Sequence, residues 1–166
     1  MGNLNITING QEKEGKEMFK LSSKSTKKLQ GVEKDLVEVV KMAIKVSKID
    51  FGVICGMRTE KEQKALVEKG ASKTMKSKHL EGKAVDLMAY VDGRASWELN
   101  LYDDIADAMA IASKEIGVPL RWGAAWQIDN IGDWKFTMQQ AMEQYIDLRR
   151  SQGRRPFIDG PHFELS

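Results

Sequence analysis

The stretch Ser77-Lys-His79-Leu-Glu-Gly82-Lys-Ala84-Val-Asp86-Leu-Met-Ala-Tyr90 joins a polar turn to an apolar run. Gly82 allows a tight backbone turn. Ala84 to Tyr90, closed by the Asp92-Gly93 turn, reads as a strand. A histidine in the loop and an aspartate on the strand can then face one point.

Upstream, Leu29, Val32, Leu36, Val39, Val40, Ala43 and Val46 recur at three- and four-residue spacing, which predicts an amphipathic helix over Lys27 to Lys48. Phe51 to Met57 reads as a buried strand. Thr59 with Glu62 three residues later is a capping box, opening a helix that Gly70 can close and leaving Arg58 at the junction. Downstream, a helix is expected from Trp97 to Ile116, with Ile105, Met109, Ala112 and Ile116 on one face and Gly117 as its stop. Pro119 to Trp126 reads as a strand, Thr137-Met-Gln-Gln140 as the cap of a helix ending near Gly153, and Pro161 to Leu165 as a terminal strand. This order predicts an α+β fold, a small, mainly antiparallel sheet with flanking helices.

The 166 residues have room for one core and one active site. Residues 1–17, polar and rich in Gly, Asn, Lys and Glu, read as a flexible arm with a short strand at Leu4 to Ile8, and residues 18–166 as a single domain. With 42% hydrophobic and 30% charged residues the composition is that of a globular protein. No run approaches the roughly 18 apolar residues of a membrane span, and the N-terminus lacks an apolar signal core, so synthesis in a cytoplasm without stable membrane insertion is expected. The lone Cys55 excludes an internal disulfide and reads as a small buried hydrophobe. Residues 1–83 hold 18 basic and 11 acidic side chains and residues 84–166 hold 8 and 13. The lysines are scattered without interleaved aromatics, which argues against nucleic acid as a partner.

There are only two histidines, and each stands near a carboxylate: His79 with Asp86, and His162 with Asp159. A catalytic zinc takes three protein ligands and leaves a position to water, so His79, Asp86 and His162 form a candidate donor set. Asp159 then remains to take a proton from the attacking water. On these residues alone, two ordinary core or surface histidines stay open as an alternative. Arg58 reads either as a donor to a developing oxyanion, an interaction worth about 2.7–4 kcal/mol, or as the partner of a surface carboxylate. Of Trp122 and Trp126, at least one belongs to the core and the other can wall a substrate groove.

Ser77-Lys-His79-Leu-Glu-Gly82-Lys-Ala84-Val-Asp86 resembles the S-x-H-x-x-G-x-A-x-D signature of zinc peptidases of the D-Ala-D-Ala carboxypeptidase and VanY type. Gly56-Met-Arg58-Thr59 with Gln63, Leu120-Arg-Trp-Gly-Ala-Ala-Trp126 and Asp159-Gly-Pro-His162-Phe-Glu-Leu165 are similar, in the same order, to the L-alanyl-D-glutamate endopeptidases used as phage endolysins. The resemblance runs from about Phe19 to Leu165. It implies a hedgehog/DD-peptidase-like fold, Zn2+ on His79, Asp86 and His162, Asp159 as general base and later acid, Arg58 at the carbonyl oxygen, and Gln63, Ser77 and Trp126 along the substrate. It further implies an enzyme that cuts the peptidoglycan stem peptide between L-Ala and D-Glu and acts on the wall after release from the host cytoplasm; a monomer is the default expectation. Two departures stand out. Asp159 replaces the glutamate usual in carboxypeptidase and dipeptidase relatives, and the chain is longer between Asp133 and Asp159 than in compact phage enzymes. A D-Ala-D-Ala carboxypeptidase or dipeptidase, and a non-catalytic zinc module that binds the wall, are the alternatives.

Overall fold

The computed structural model describes residues 7–8, 11–12 and 18–166. Two short strands, β1 (Thr7–Ile8) and β2 (Gln11–Glu12), pair antiparallel. The flexible arm expected for the rest of residues 1–17, including the first three residues of its expected strand, 4–6, lies outside the described residues. The other elements in order are α1 (Ser23–Lys28), α2 (Lys34–Val46), β3 (Asp50–Cys55), α3 (Glu60–Glu68), β4 (Ala84–Val91), β5 (Arg94–Ser96), α4 (Leu99–Ile116), β6 (Leu120–Trp122), α5 (Met138–Ser151) and β7 (His162–Leu165). Two 3-10 turns, Lys78–Glu81 and Ile131–Asp133, precede β4 and α5.

The fold class is the α+β one expected, a small sheet that is antiparallel at every pairing. Its order is β3-β4-β7-β6, and β5 shares an edge of β4 with β7, β7 pairing at Ala84–Asp86 and β5 at Ala89–Val91. Side chains alternate across the sheet. Val85, Leu87, Ala89 and Phe163 face a core completed by α2 and α4, whose Leu36, Val39, Val40, Ile105 and Met109 are buried. The intervening residues of β4 and β7, Asp86, His162 and Glu164 among them, are left for the opposite face.

Several boundaries differ from expectation. The helix expected over Lys27 to Lys48 is two helices, because Gly31 takes a left-handed φ of 86° and turns the chain between them. The apolar stripe is nonetheless buried throughout, since Leu29 and Val32 pack from the connecting turn onto the same core. The strand expected over Pro119 to Trp126 ends at Trp122, and Gly123 to Trp126 form turns. Ile116, expected on the buried face of α4, is 38% exposed because the last turn overruns the core. The strand expected over Phe51 to Met57 ends at Cys55, where the register shifts between Val53 and Cys55. This bulge leaves Ile54 exposed and sets Cys55 opposite Asp86.

Gly82 closes the Lys78–Glu81 turn in the left-handed conformation, at φ 68°, and its carbonyl accepts the Glu33 amide at 2.8 Å. A Cβ there would collide with the Gly31 carbonyl oxygen. Gly82→Ala is expected to cost about 1–2 kcal/mol from backbone strain alone, read as a lower Tm in a thermal melt; an unchanged Tm contradicts it.

Asp103 on α4 is buried, and its Oδ1 has no hydrogen-bond partner among the described residues. Burial first, then the charges of Asp107, Asp104 and Glu143, push its carboxyl up to about 6. A carboxyl that protonates more easily folded than unfolded loses stability as pH rises from about 4 through about 6. Asp103→Asn is therefore expected to melt higher than wild type at pH 8 and level with it at pH 4. Equal melting temperatures at pH 8 would contradict this.

Candidate metal centre and active site

Three adjacent strands bring the chemistry together. Cys55 on β3, Asp86 on β4 and His162 on β7 stand opposite one another in register. His79 arrives from the turn before β4, where the Ser77 hydroxyl accepts the His79 amide at 3.2 Å and the His79 carbonyl accepts the Arg58 amide at 2.9 Å.

Both imidazoles are oriented from behind. His79 is 2% exposed, and its Nδ1 lies 2.8 Å from the Gly56 carbonyl oxygen. A carbonyl can only accept, so Nδ1 carries the hydrogen and Nε2 faces Asp86 Oδ2 at 3.3 Å. His162 Nε2 lies 2.9 Å from Glu164 Oε1 and its Nδ1 3.1 Å from Asp86 Oδ1. Donation of Nε2–H to Glu164 leaves Nδ1 aimed at the same carboxylate. A carbonyl or carboxylate behind each imidazole is the usual arrangement around metal-binding histidines.

Burial opposes charge on both rings, yet hydrogen bonds override it. Asp86 and Cys55 raise His79 to about 10, and Asp86 and Glu164 raise His162 to about 9. Asp86 is half-buried, and against the cost of that burial hydrogen bonds from the two imidazoles hold it well below the usual carboxylate range. Glu164 is lowered by His162 against its own burial.

Asp159 stands beside this set. Asp86, Asp159 and His162 offer ligand atoms within 4.8 Å of one another, as do Cys55, His79 and Asp86. The Asp159 backbone is clamped, its amide to Gly123 O at 2.8 Å and its carbonyl accepting the His162 amide at 3.1 Å. Burial, then the negative charge of Asp86, raises its carboxyl pKa against the pull of His162, His79 and Arg58. Arg58 Nη2 lies 3.6 Å from Asp86 Oδ2, and Nη1 donates to Gln63 Oε1 at 2.7 Å.

The remaining expected residues spread around this centre. Gln63 is fully buried, and its amide also donates to Ser72 Oγ at 2.9 Å and Thr74 O at 2.7 Å. It is placed behind Arg58. Ser77 caps the turn that carries His79. Trp122 is a core residue whose Nε1 donates to Gly160 O at 2.8 Å, whereas the half-buried Trp126 ring stands 5.8 Å from that of His162.

Two residues escaped the sequence reading. Glu164 is two residues after His162 on a strand, hence on the same face, and that spacing was the available signal. Cys55 is half-buried at the centre rather than a core hydrophobe, with Sγ 3.7 Å from His79 Nδ1 and 3.2 Å from Arg58 Nη2. The bulge that places it leaves no mark in the sequence.

The donor chemistry fits a divalent metal. Two imidazole nitrogens and a carboxylate converge, which is a donor set of catalytic zinc sites. Cys55 approaches His79 on Nδ1, the nitrogen turned away from Asp86 and already engaged by Gly56. Two compact donor groups, Cys55–His79–Asp86 and Asp86–Asp159–His162, thus share Asp86, and both imidazoles reach its carboxylate.

A family model described as phage L-alanyl-D-glutamate peptidase matches residues 17–166. The L-alanyl-D-glutamate peptidase of Escherichia phage T5 is 34% identical over 151 residues, covering 89% of this chain and 98% of the relative. The crystal structure of the Serratia marcescens L-Ala D-Glu endopeptidase ChiX aligns with a TM-score of 0.64 at 33% identity, covering 89% of this chain and 90% of that one. The chain belongs to the phage L-alanyl-D-glutamate peptidase family.

Proposed function

We propose that this protein is a zinc-dependent endopeptidase that hydrolyses the bond between L-alanine and D-glutamate in the stem peptides of peptidoglycan. The observation that carries the reading is the convergence of His79 Nε2 and His162 Nδ1 on the Asp86 carboxylate, with a second carboxylate, Asp159, alongside. Membership of the family supplies the substrate.

His79, Asp86 and His162 would hold the ion. When bound, zinc supplies a Lewis acid that brings the pKa of a coordinated water towards about 7. Asp159 accepts the proton of the attacking water and passes it to the leaving amine of D-glutamate. Arg58, steadied by Gln63, donates to the carbonyl oxygen as negative charge develops there. Gly56 and Glu164 fix the imidazoles from behind. Host lysis follows once the enzyme, made in the host cytoplasm, reaches the wall through a membrane opened by another protein. No helix among the described residues is long and apolar enough to cross a membrane itself.

Peptidoglycan digested by zinc-loaded protein is expected to yield, by mass spectrometry, stem peptides with a new amino terminus at D-glutamate. Digestion should stop on complete chelation and resume on adding zinc. D-alanine as the sole product would identify a carboxypeptidase instead, and digestion that survives removal of all metal would refute the metal mechanism.

Asp159→Asn separates chemistry from binding. The variant is expected to take up one zinc like wild type while kcat falls about 10²- to 10⁴-fold. Full activity in the zinc-loaded variant would remove Asp159 from the reaction, and loss of zinc would make it a ligand.

A further inference from the structure

Beside the metal centre, between α5 and the segment leading to Asp159, lies a groove of about 400 Å³ lined by Trp126, Tyr145, Leu148, Arg149 and Phe157 among others. That volume suits a residue-sized group. The groove is built into the active site. Trp126 walls it on one side and stands 5.8 Å from the His162 ring on the other. Trp126 Nε1 donates to Phe157 O at 3.1 Å, the two rings stack at 6.3 Å, and Tyr145 Oη accepts the Phe157 amide at 3.1 Å. Phe157 is two residues before Asp159. Helix α5, the additional length noted between Asp133 and Asp159, thus supports the segment that carries the second carboxylate.

One cation, Arg149, lines the groove, and two more stand against its aromatic walls. Arg121 lies over the Trp126 ring at 5.3 Å and Lys73 over the Phe157 ring at 5.8 Å. The C-terminal half of the chain is acidic, yet four of its eight basic residues, Arg149, Arg150, Arg154 and Arg155, fall within seven positions here. Arg149 lines the groove, and among the described residues no side-chain hydrogen bond or carboxylate engages its guanidinium. A guanidinium with donors to spare, framed by aromatic walls, is a receptor for a carboxylate.

The proposed substrate supplies one. D-glutamate enters the scissile bond through its amine and continues the peptide through one carboxyl group, so a second carboxylate is free on the leaving side. We infer that Arg149 binds this free carboxylate of the leaving-side D-glutamate in the Trp126–Phe157 groove, and that this contact sets preference for an unamidated stem peptide. The inference rests on the endopeptidase reading and names the part of the substrate that the groove takes.

Two synthetic stem peptides test it, identical except that the free glutamate carboxyl is a carboxylate in one and a carboxamide in the other. Wild type is expected to prefer the carboxylate by about 10- to 100-fold in kcat/KM, the range for a hydrogen bond to a charged group. Arg149→Gln should collapse that ratio towards one, while Arg149→Lys keeps part of it. The ratio is internal to each variant, so a general loss of folded protein does not imitate the result, and equal zinc content checks the metal centre. A wild type that cleaves both peptides equally, or an Arg149→Gln variant that keeps the full preference, overturns the inference and leaves the endopeptidase reading standing. A wild type that cleaves neither peptide at the L-Ala–D-Glu bond overturns both.

Discussion

The pairing of β4 with β7 that sets His162 opposite Asp86 is the constraint on which the rest depends. The two residues are 76 apart in sequence and their side chains meet at 3.1 Å. Because strand side chains alternate, a slip of one residue would send His162 into the core and Phe163 to the site. Phe163 prevents it: fully buried, it stacks with Trp122 at 6.3 Å, so the apolar face holds the register that the polar face uses. Core packing on one side of the sheet is thereby converted into ligand geometry on the other.

Gathering Asp86, His79, His162, Arg58, Glu164 and Asp159 in one poorly solvated place is costly, since buried charges lose hydration that only paired neighbours restore. The chain meets this with fixed backbone and second partners. Gly56 O holds His79, Glu164 holds His162, and Gln63 ties Arg58 to the loop at Ser72 and Thr74. The imidazole pKa values, raised to about 10 and about 9, express how strongly the cluster attracts positive charge. Where two protons are held this firmly, a divalent cation competes for the same electron pairs and releases protons on binding.

Much of this was legible in the chain. An apolar run between Gly82 and the Asp92-Gly93 turn marked β4, the stripe from Leu29 to Val46 named core residues that are all buried, and both capping boxes, at Thr59 and Thr137, are formed. The spacing of His79 and Asp86 across a glycine turn, and of Asp159 and His162 before a final strand, pointed to the residues that the fold gathers. Local patterns failed where tertiary geometry decided. A periodic stripe cannot show that Gly31 breaks its helix, an apolar run cannot show the bulge that turns Cys55 to the site, and nothing local shows that Gln63 is buried against Arg58. The groove under α5 is of this kind too, because its walls come from Trp126, Tyr145 and Phe157 on separate segments.

The central claim concerns where the ion sits, and anomalous diffraction at the zinc edge from crystals of zinc-loaded protein addresses it most directly. The account requires a single strong peak about 2.0–2.2 Å from His79 Nε2, an Asp86 oxygen and His162 Nδ1, with Asp159 outside bonding distance. A peak about 2.3 Å from the Cys55 sulfur, or no peak near Asp86, would contradict it.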